Sequence, residues 1–319
     1  MKNSVKRGER KATSNLYDPR NGHPAIRIER LRLGSEPSDQ ARTNYFSIFL
    51  IESGAGTFWA DSSKFAFAAD SLIFFTPYQQ IRFVPDSLAQ GAVIQFHANF
   101  LCVETFHAEA GCSGVLFNDP YGSPVVELNE QSKLEVINLI GTLRREQDEQ
   151  SLAFGEVMLA SLKVLLILAA RLKVPKIGDS RTGTIDSRHP ALIQLRELIE
   201  ENYQTLHTPA EYAERLHLTP KTLGRIVREY LGTTPTDLIR NRILIHAKWQ
   251  LLHTLKPVKE IAGELGFSDE LYFSRIFKKA TGYSPTFFRE FETEIRGGSN
   301  LSMFLDHSPI LHPSEQADT

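Results

Sequence analysis

Four side chains of the kinds that bind zinc recur at five-residue intervals in QFHANFLCVETFHAEAGC: His97, Cys102, His107 and Cys112. Imidazole nitrogen and thiolate sulfur are the usual ligands of tetrahedral zinc sites, but such sites draw on closer pairs, Cys-x-x-Cys above all. Nothing fixes these four on one side of a local structure, so buried packing is favoured over metal binding as the expectation here, and no cofactor is expected. A second set carries stronger chemistry. Lys221, Thr222, Arg225 and Arg228 fall at helical spacing, and so do Glu270, Ser274, Arg275, Lys278 and Lys279. An arginine near a helix N-terminus can donate two hydrogen bonds to guanine O6 and N7, and short polar side chains serve other base edges. Basic residues further along suit phosphates. The chain shows no nucleophile–base pair, phosphate loop or metal triad, so no catalytic residue and no enzyme activity are expected.

These residues sit in an internal duplication. EYAERLHLTPKTLGRIVREYLGTTP (211–235) aligns with EIAGELGFSDELYFSRIFKKATGYSP (260–285). Ala213 matches Ala262 and Leu216 matches Leu265 at an offset of 49. Thr219 is matched to Ser268 at that same offset. After one inserted residue the offset is 50, pairing Leu223 with Phe273, Arg225 with Arg275, Gly232 with Gly282 and Pro235 with Pro285. Each copy predicts a short helix with a small alanine at a close crossing, a tight turn, and a second helix capped by Thr219 or Ser268. Pro220 fits the first helical position of its helix, and Gly232 and Gly282 supply the stops. Leu223, Ile226 and Val227, or Phe273, Ile276 and Phe277, form the buried stripe of each second helix. Phe267, Tyr272 and Trp249 are also expected in the core, Trp249 on a joining helix over about 236–253. The result is a helix-turn-helix built twice. Arginines repeated at one place argue against a merely solvated face.

The stretch PVKEIAGELGFSDELYFSRIFKKATGYSPTFFRE (257–290) closely resembles the signature of the AraC/XylS family of transcription regulators, and the preceding repeat resembles that family's first helix-turn-helix. The resemblance covers about a third of the chain. It implies a seven-helix DNA-binding domain whose two recognition helices read successive major-groove turns, about 34 Å apart, on one face of double-stranded DNA. Arg225 and Arg275 stand where family members commonly contact bases, with Lys221, Thr222, Glu270, Leu271 and Ser274 around them. Leu271 departs from the small polar residue often seen at its place, and Gly224 offers no side chain at its own. The expected function is an activator responsive to a small molecule or partner, with RNA polymerase as a further partner by resemblance.

Charge agrees with a local rather than a global DNA-binding face. The chain has a net charge of −2, and residues 188–296 carry 16 basic and 14 acidic side chains. That balance argues against a sequence-independent architectural binder, whose affinity rests on phosphate neutralisation. Two cysteines exclude a disulfide framework. The segment MKNSVKRGERKATSNL lacks the apolar core of a secretory signal, and the most apolar run, 164–170, is far too short to span a membrane. A cytoplasmic protein is expected.

From 26 to 126 the texture is β: YFSIFLI, GTFWA, SLIFFTP, IRFVP and AVIQFHANF are separated by turn clusters. This segment resembles the cupin-like sensor domains of many such regulators. GAGTFWADSSKF contains no histidine and Gln79 and Gln80 stand near a late ligand position, so a catalytic cupin is disfavoured. A ligand pocket remains open, its candidate lining Tyr45, Phe58, Trp59, Phe75, Phe83 and Phe96, each better suited to plain core than to ligand contact. Helical periodicity over 130–146 and 154–172 predicts two helices. The second is apolar around most of its circumference, which fits either an ordinary core helix or one shared with a partner subunit in a homodimer. The fold class is therefore α+β: a cupin-like β-barrel with following helices, then an all-α domain with two helix-turn-helix motifs. The expected division is a disordered basic arm over 1–22, a sensor and dimerisation domain over 23–173, a linker over 174–188, the DNA-binding domain over 189–295 and a loose tail over 296–319.

Overall fold

The computed structural model describes residues 15–103, 115–117, 119–174 and 189–297. His107 and Cys112, the 175–188 part of the expected linker and the tail beyond 297 lie outside them.

Nine strands among the described residues form two antiparallel sheets. One runs β1 (Ile26–Leu33), β8 (Ala89–Phe96), β3 (Phe46–Ser53), β6 (Ser71–Phe75) and β9 (Val125–Glu127); the other runs β2 (Ser38–Gln40), β7 (Ile81–Pro85), β4 (Gly56–Ala60) and β5 (Ser63–Phe67). The anticipated barrel is thus two facing sheets, not a closed cylinder. The step from β6 to β7 is made by a loop that bends away toward the helical domain, with Tyr78 in a left-handed conformation at φ 68°, so no ladder joins the two sheets there.

Alternation in the five-stranded sheet sends side chains to two cores. Phe49, Ile51, Ile73 and Phe75 face the second sheet, where Phe58 and Phe83 meet them. Ile48, Leu50, Leu72, Phe74 and Ile94 face the other way, onto α1 (Glu130–Glu149) and α2 (Phe154–Lys173). Asn129 caps α1 by accepting the Ser132 N–H at 2.9 Å. The exposed edge of β1 is closed by the Gln147 side chain, which accepts the Ile28 N–H at 2.7 Å and donates to the Ile28 carbonyl at 3.2 Å. That pairing blunts an edge otherwise open to another strand.

The helical domain comprises α3 (Pro190–Asn202), α4 (Pro209–Arg215), α5 (Pro220–Leu231), α6 (Pro235–His253), α7 (Val258–Glu264), α8 (Glu270–Thr281) and α9 (Pro285–Ile295). One apolar core joins these seven helices to Leu16, Tyr17, Tyr45, Tyr78 and Tyr121. Leu16 is wholly buried and Tyr17 nearly so, which corrects the expectation of a disordered arm reaching residue 22. Their apolar side chains fill a seam between the two domains, and Asn44 accepts the Tyr17 N–H there.

Candidate nucleic-acid interface

The two helix-turn-helix copies are set by the same local devices. In copy one, Thr208 and Glu211 form a capping box at the start of α4. The turn that follows places His217 at φ 55° and lets the Leu218 N–H reach the Ala213 carbonyl at 2.8 Å. In copy two Gly266 takes that conformation at φ 78°, and the Phe267 N–H reaches the Ala262 carbonyl at 2.9 Å. A Cβ on Gly266 would lie 2.2 Å from the Gln204 carbonyl oxygen, so glycine is required there for space as well as for conformation.

The caps of the second helices revise the repeat alignment. Thr219 accepts the Thr222 N–H at 3.1 Å, whereas in copy two Asp269, not Ser268, accepts the Leu271 N–H at 2.8 Å. His217 and Leu218 keep the offset of 49 with Gly266 and Phe267, and Asp269 takes up the offset of 50. Ser268 is therefore the inserted residue, and the insertion lies ahead of the cap.

Leu223, Ile226, Val227, Phe273 and Phe277 are buried as expected, while Ile276 and Phe267 are partly so. Tyr272 and Trp249 depart from the core expectation, being about half exposed at 52% and 45%. Tyr272 stands on the open face of α8, with the Arg275 guanidinium 5.9 Å from its ring centroid. Trp249 stacks on His253 at the surface of α6, with ring centroids 5.0 Å apart.

On the faces opposite the buried stripes, Lys221, Arg225 and Arg228 of α5 are exposed and Thr222 is half-buried. On α8, Glu270, Arg275, Lys278 and Lys279 are exposed and Ser274 is half-buried. Arg225 lies 3.0 Å from Glu229, and Arg275 lies 3.9 Å from Asp269. Both are surface pairs of little energetic consequence, so either guanidinium can exchange its carboxylate for a base or phosphate. Gly224 has no neighbour within 4 Å of a notional Cβ, and it opens a shallow groove bordered by Pro220, Lys221, Thr222, Arg225 and Arg228.

The candidate ligand aromatics do not gather around one space. Phe58, Phe75 and Phe83 pack together between the sheets. Phe96 lies on the helix side of its sheet, Tyr45 lies in the seam against Tyr17, and Trp59 lies under the Lys64 ammonium, 4.8 Å away. Open volume occurs instead at the seam. A cavity of about 130 Å³ lies among Phe46, Val103, Lys248, Trp249, Leu252 and Phe288. Lys248 donates to the Pro77 carbonyl at 3.2 Å, and burial lowers the pKa of its ammonium. His97, the described histidine of the five-residue series, faces Glu292 rather than a metal cluster. Among the described residues no three His, Cys, Asp or Glu side chains come together as a metal site.

Sequence reasoning did not find the seam contacts. Glu292, at 2% exposure, lies near the end of α9 and is bonded by Tyr78, by Asn44 at 3.2 Å and by Arg296 at 3.2 Å. The start of β5 reaches the end of α5: the Lys64 N–H donates to the Gly232 carbonyl at 3.2 Å, and Ser63 donates to Thr233 at 2.8 Å. Arg42 reaches the matching end of α8 and donates to the Lys279 carbonyl at 3.4 Å. The β-rich N-terminal part thus touches the C-terminal ends of both α5 and α8. No local pattern announces contacts between residues so distant in sequence.

Two capped second helices, α5 and α8, held by the long α6 define a double helix-turn-helix domain. The family described as "Helix-turn-helix domain" matches residues 212–290. The arabinose operon regulatory protein of Escherichia coli (strain K12) is 38% identical over 138 residues, which are 43% of this chain and 45% of that protein. The HTH-type transcriptional activator RhaS of Enterobacter sp. (strain 638) is 23% identical over 288 residues, 88% of this chain and 95% of that one. The solved structure of ToxT from Vibrio cholerae aligns with 84% of this chain and 99% of that chain at 14% identity and a TM-score of 0.35. Residues 212–290 form a helix-turn-helix domain similar in sequence to that part of the arabinose operon regulatory proteins. The chain spans about half the length of the arabinose regulators that it matches.

Proposed function

We propose that this chain is a sequence-specific DNA-binding transcription regulator, an activator that responds to a small molecule or partner through its N-terminal domain. The observation that carries this reading is the pair of exposed arginines, Arg225 and Arg275, at matching positions of two capped recognition helices. Each offers a guanidinium to a base edge while the residues behind it are locked in the core. Lys221, Thr222, Arg228, Glu270, Ser274, Lys278 and Lys279 complete the interface, the lysines and Arg228 serving phosphates.

Its partners in this proposal are double-stranded DNA, RNA polymerase and a second copy of the chain, and it acts in the cytoplasm without catalysis. The homodimer is supported by Leu134 and Ile137 on α1 and Val157 and Val164 on α2, all exposed although the helices bury their other apolar faces on the sheet. The seam cavity beside Lys248 offers an effector more room than the packed aromatics between the sheets. Among the described residues no helix is long and apolar enough to cross a membrane.

The test is selection of genomic fragments by the purified chain at about 150 mM salt, followed by titration of the best fragment. A shared motif of two boxes about one DNA turn apart supports the proposal. Binding that falls with salt alike for all sequences would overturn it.

A further inference from the structure

Leu271 breaks the chemistry of the surface it occupies. It is 71% exposed in the first turn of α8, between Glu270 and the Tyr272 ring. Its N–H is held by the Asp269 cap at 2.8 Å, so the turn that presents it is fixed. At helical spacing it shares a face with Ser274, Arg275 and Lys278. With the offset of 50 established by the caps, its counterpart in copy one is Lys221, which borders the open groove with Arg225 and Arg228. The same place in the two copies therefore carries a cation in one and a large apolar side chain in the other.

An exposed leucine leaves its apolar surface in water, so its place on a recognition surface asks what covers it there. The major groove presents hydrogen-bonding edges at every base pair, and its one apolar projection is the C5-methyl group of thymine. We infer that Leu271 is a specificity-determining residue that reads a thymine methyl in the box bound by the second recognition helix. This rests on the proposed DNA-binding function and deepens it: copy one reads its box through polar and charged groups, and copy two adds an apolar contact. An unsubstituted cytosine offers only hydrogen at that ring position, so the contact discriminates thymine from cytosine by shape and apolar area rather than by a donor or acceptor.

The test uses the full chain and the best fragment from the genomic selection. Each thymine of the motif is replaced in turn by deoxyuridine, which removes one methyl group and leaves every hydrogen-bonding atom in place. At one position in the second box the wild-type chain should lose about fourfold in affinity, the worth of one buried methyl group. Leu271→Ala should bind the thymine and deoxyuridine fragments alike at that position and still prefer the motif to scrambled DNA. Because Leu271 touches no core, its variant should melt with the wild type, and circular dichroism checks this. A motif bound specifically with no deoxyuridine effect at any position would overturn the role of Leu271 alone. So would an effect of the same size in Leu271→Ala. Loss of all preference for the motif by the wild-type chain would overturn the regulator reading, and the leucine's role with it.

Discussion

The Glu292 carboxylate and the His97 imidazole meet 3.4 Å apart, at 2% and 1% exposure, although 195 residues separate them. Glu292 lies near the end of α9 and His97 follows β8, so the pair fixes the helical part to the β sheets. Tyr17 stacks on His97 with ring centroids 4.4 Å apart and sets the imidazole's orientation from its other side. A buried carboxylate persists because its oxygens are filled: Tyr78, Asn44, His97 and Arg296 all address it.

Removing that acceptor strands four polar partners in the seam. Glu292→Ala should cost about 3–5 kcal/mol, the range for breaking a buried ion pair from one side. Urea unfolding followed by tryptophan fluorescence reads the loss, since Trp249 lies at the same seam. Glu292→Gln, which keeps the shape and part of the hydrogen bonding, should cost less. An unchanged midpoint for Glu292→Ala would show that the seam does not contribute to stability.

Burial raises the Glu292 pKa, but the hydrogen bond from His97, the Arg296 charge and the hydrogen bond from Tyr78 outweigh it and hold the carboxyl at about 2, against an ordinary 4.5. A folded value below the unfolded one means that the unfolded chain binds the proton more readily. The stabilisation is then fully present above the ordinary carboxylate range and is lost as pH falls from about 4.5 toward about 2. Glu292→Gln should show a shallower loss of thermal stability across that window than the wild-type chain. Parallel pH profiles would mean that another group controls acid unfolding.

Arg275→Ala should lower affinity for the selected motif by about 1–3 kcal/mol and relax one base position. Lys279→Ala, further along α8, should weaken motif and random DNA alike and reduce the salt dependence of binding. Binding titrations at several salt concentrations separate the two. Equal loss on random DNA for Arg275→Ala would make it a phosphate contact.

Gly232 ends α5 at φ 63°, and a Cβ there would lie 2.5 Å from the Lys64 carbonyl oxygen of β5. Gly282 ends α8 at φ 88°, but its notional Cβ meets the Arg42 side chain at 3.1 Å, a group free to move. Both alanine variants carry left-handed strain of about 1–2 kcal/mol. Gly232→Ala should lose more than Gly282→Ala, because backbone against backbone cannot give way. Equal melting temperatures for the two variants would show that the start of β5 does not press on α5.

The sequence by itself determined the duplicated helix-turn-helix, because its signals are local. Helical spacing placed Leu223 and Phe273 inward and Arg225 and Arg275 outward, and Pro220, Gly232 and Gly282 marked the ends of helices by backbone conformation alone. The β runs were equally legible: GTFWA is β4 and IRFVP is β7, residue for residue. The tertiary structure decided what local rules leave open. Two cap candidates side by side, Ser268 and Asp269, were separated only by the fold of the turn. Periodicity gives a helix its faces but not its neighbours, so Trp249 and Tyr272 read as core and proved half exposed. Aromatic runs said that Phe58, Phe75 and Phe83 turn inward, yet whether they enclose a ligand space or fill it depends on how two sheets approach. The seam was least visible of all. Glu292 reads as one more acid of an amphipathic helix until Asn44, Tyr78 and His97 arrive from far along the chain, and burial then converts an ordinary carboxylate into the joint between two domains.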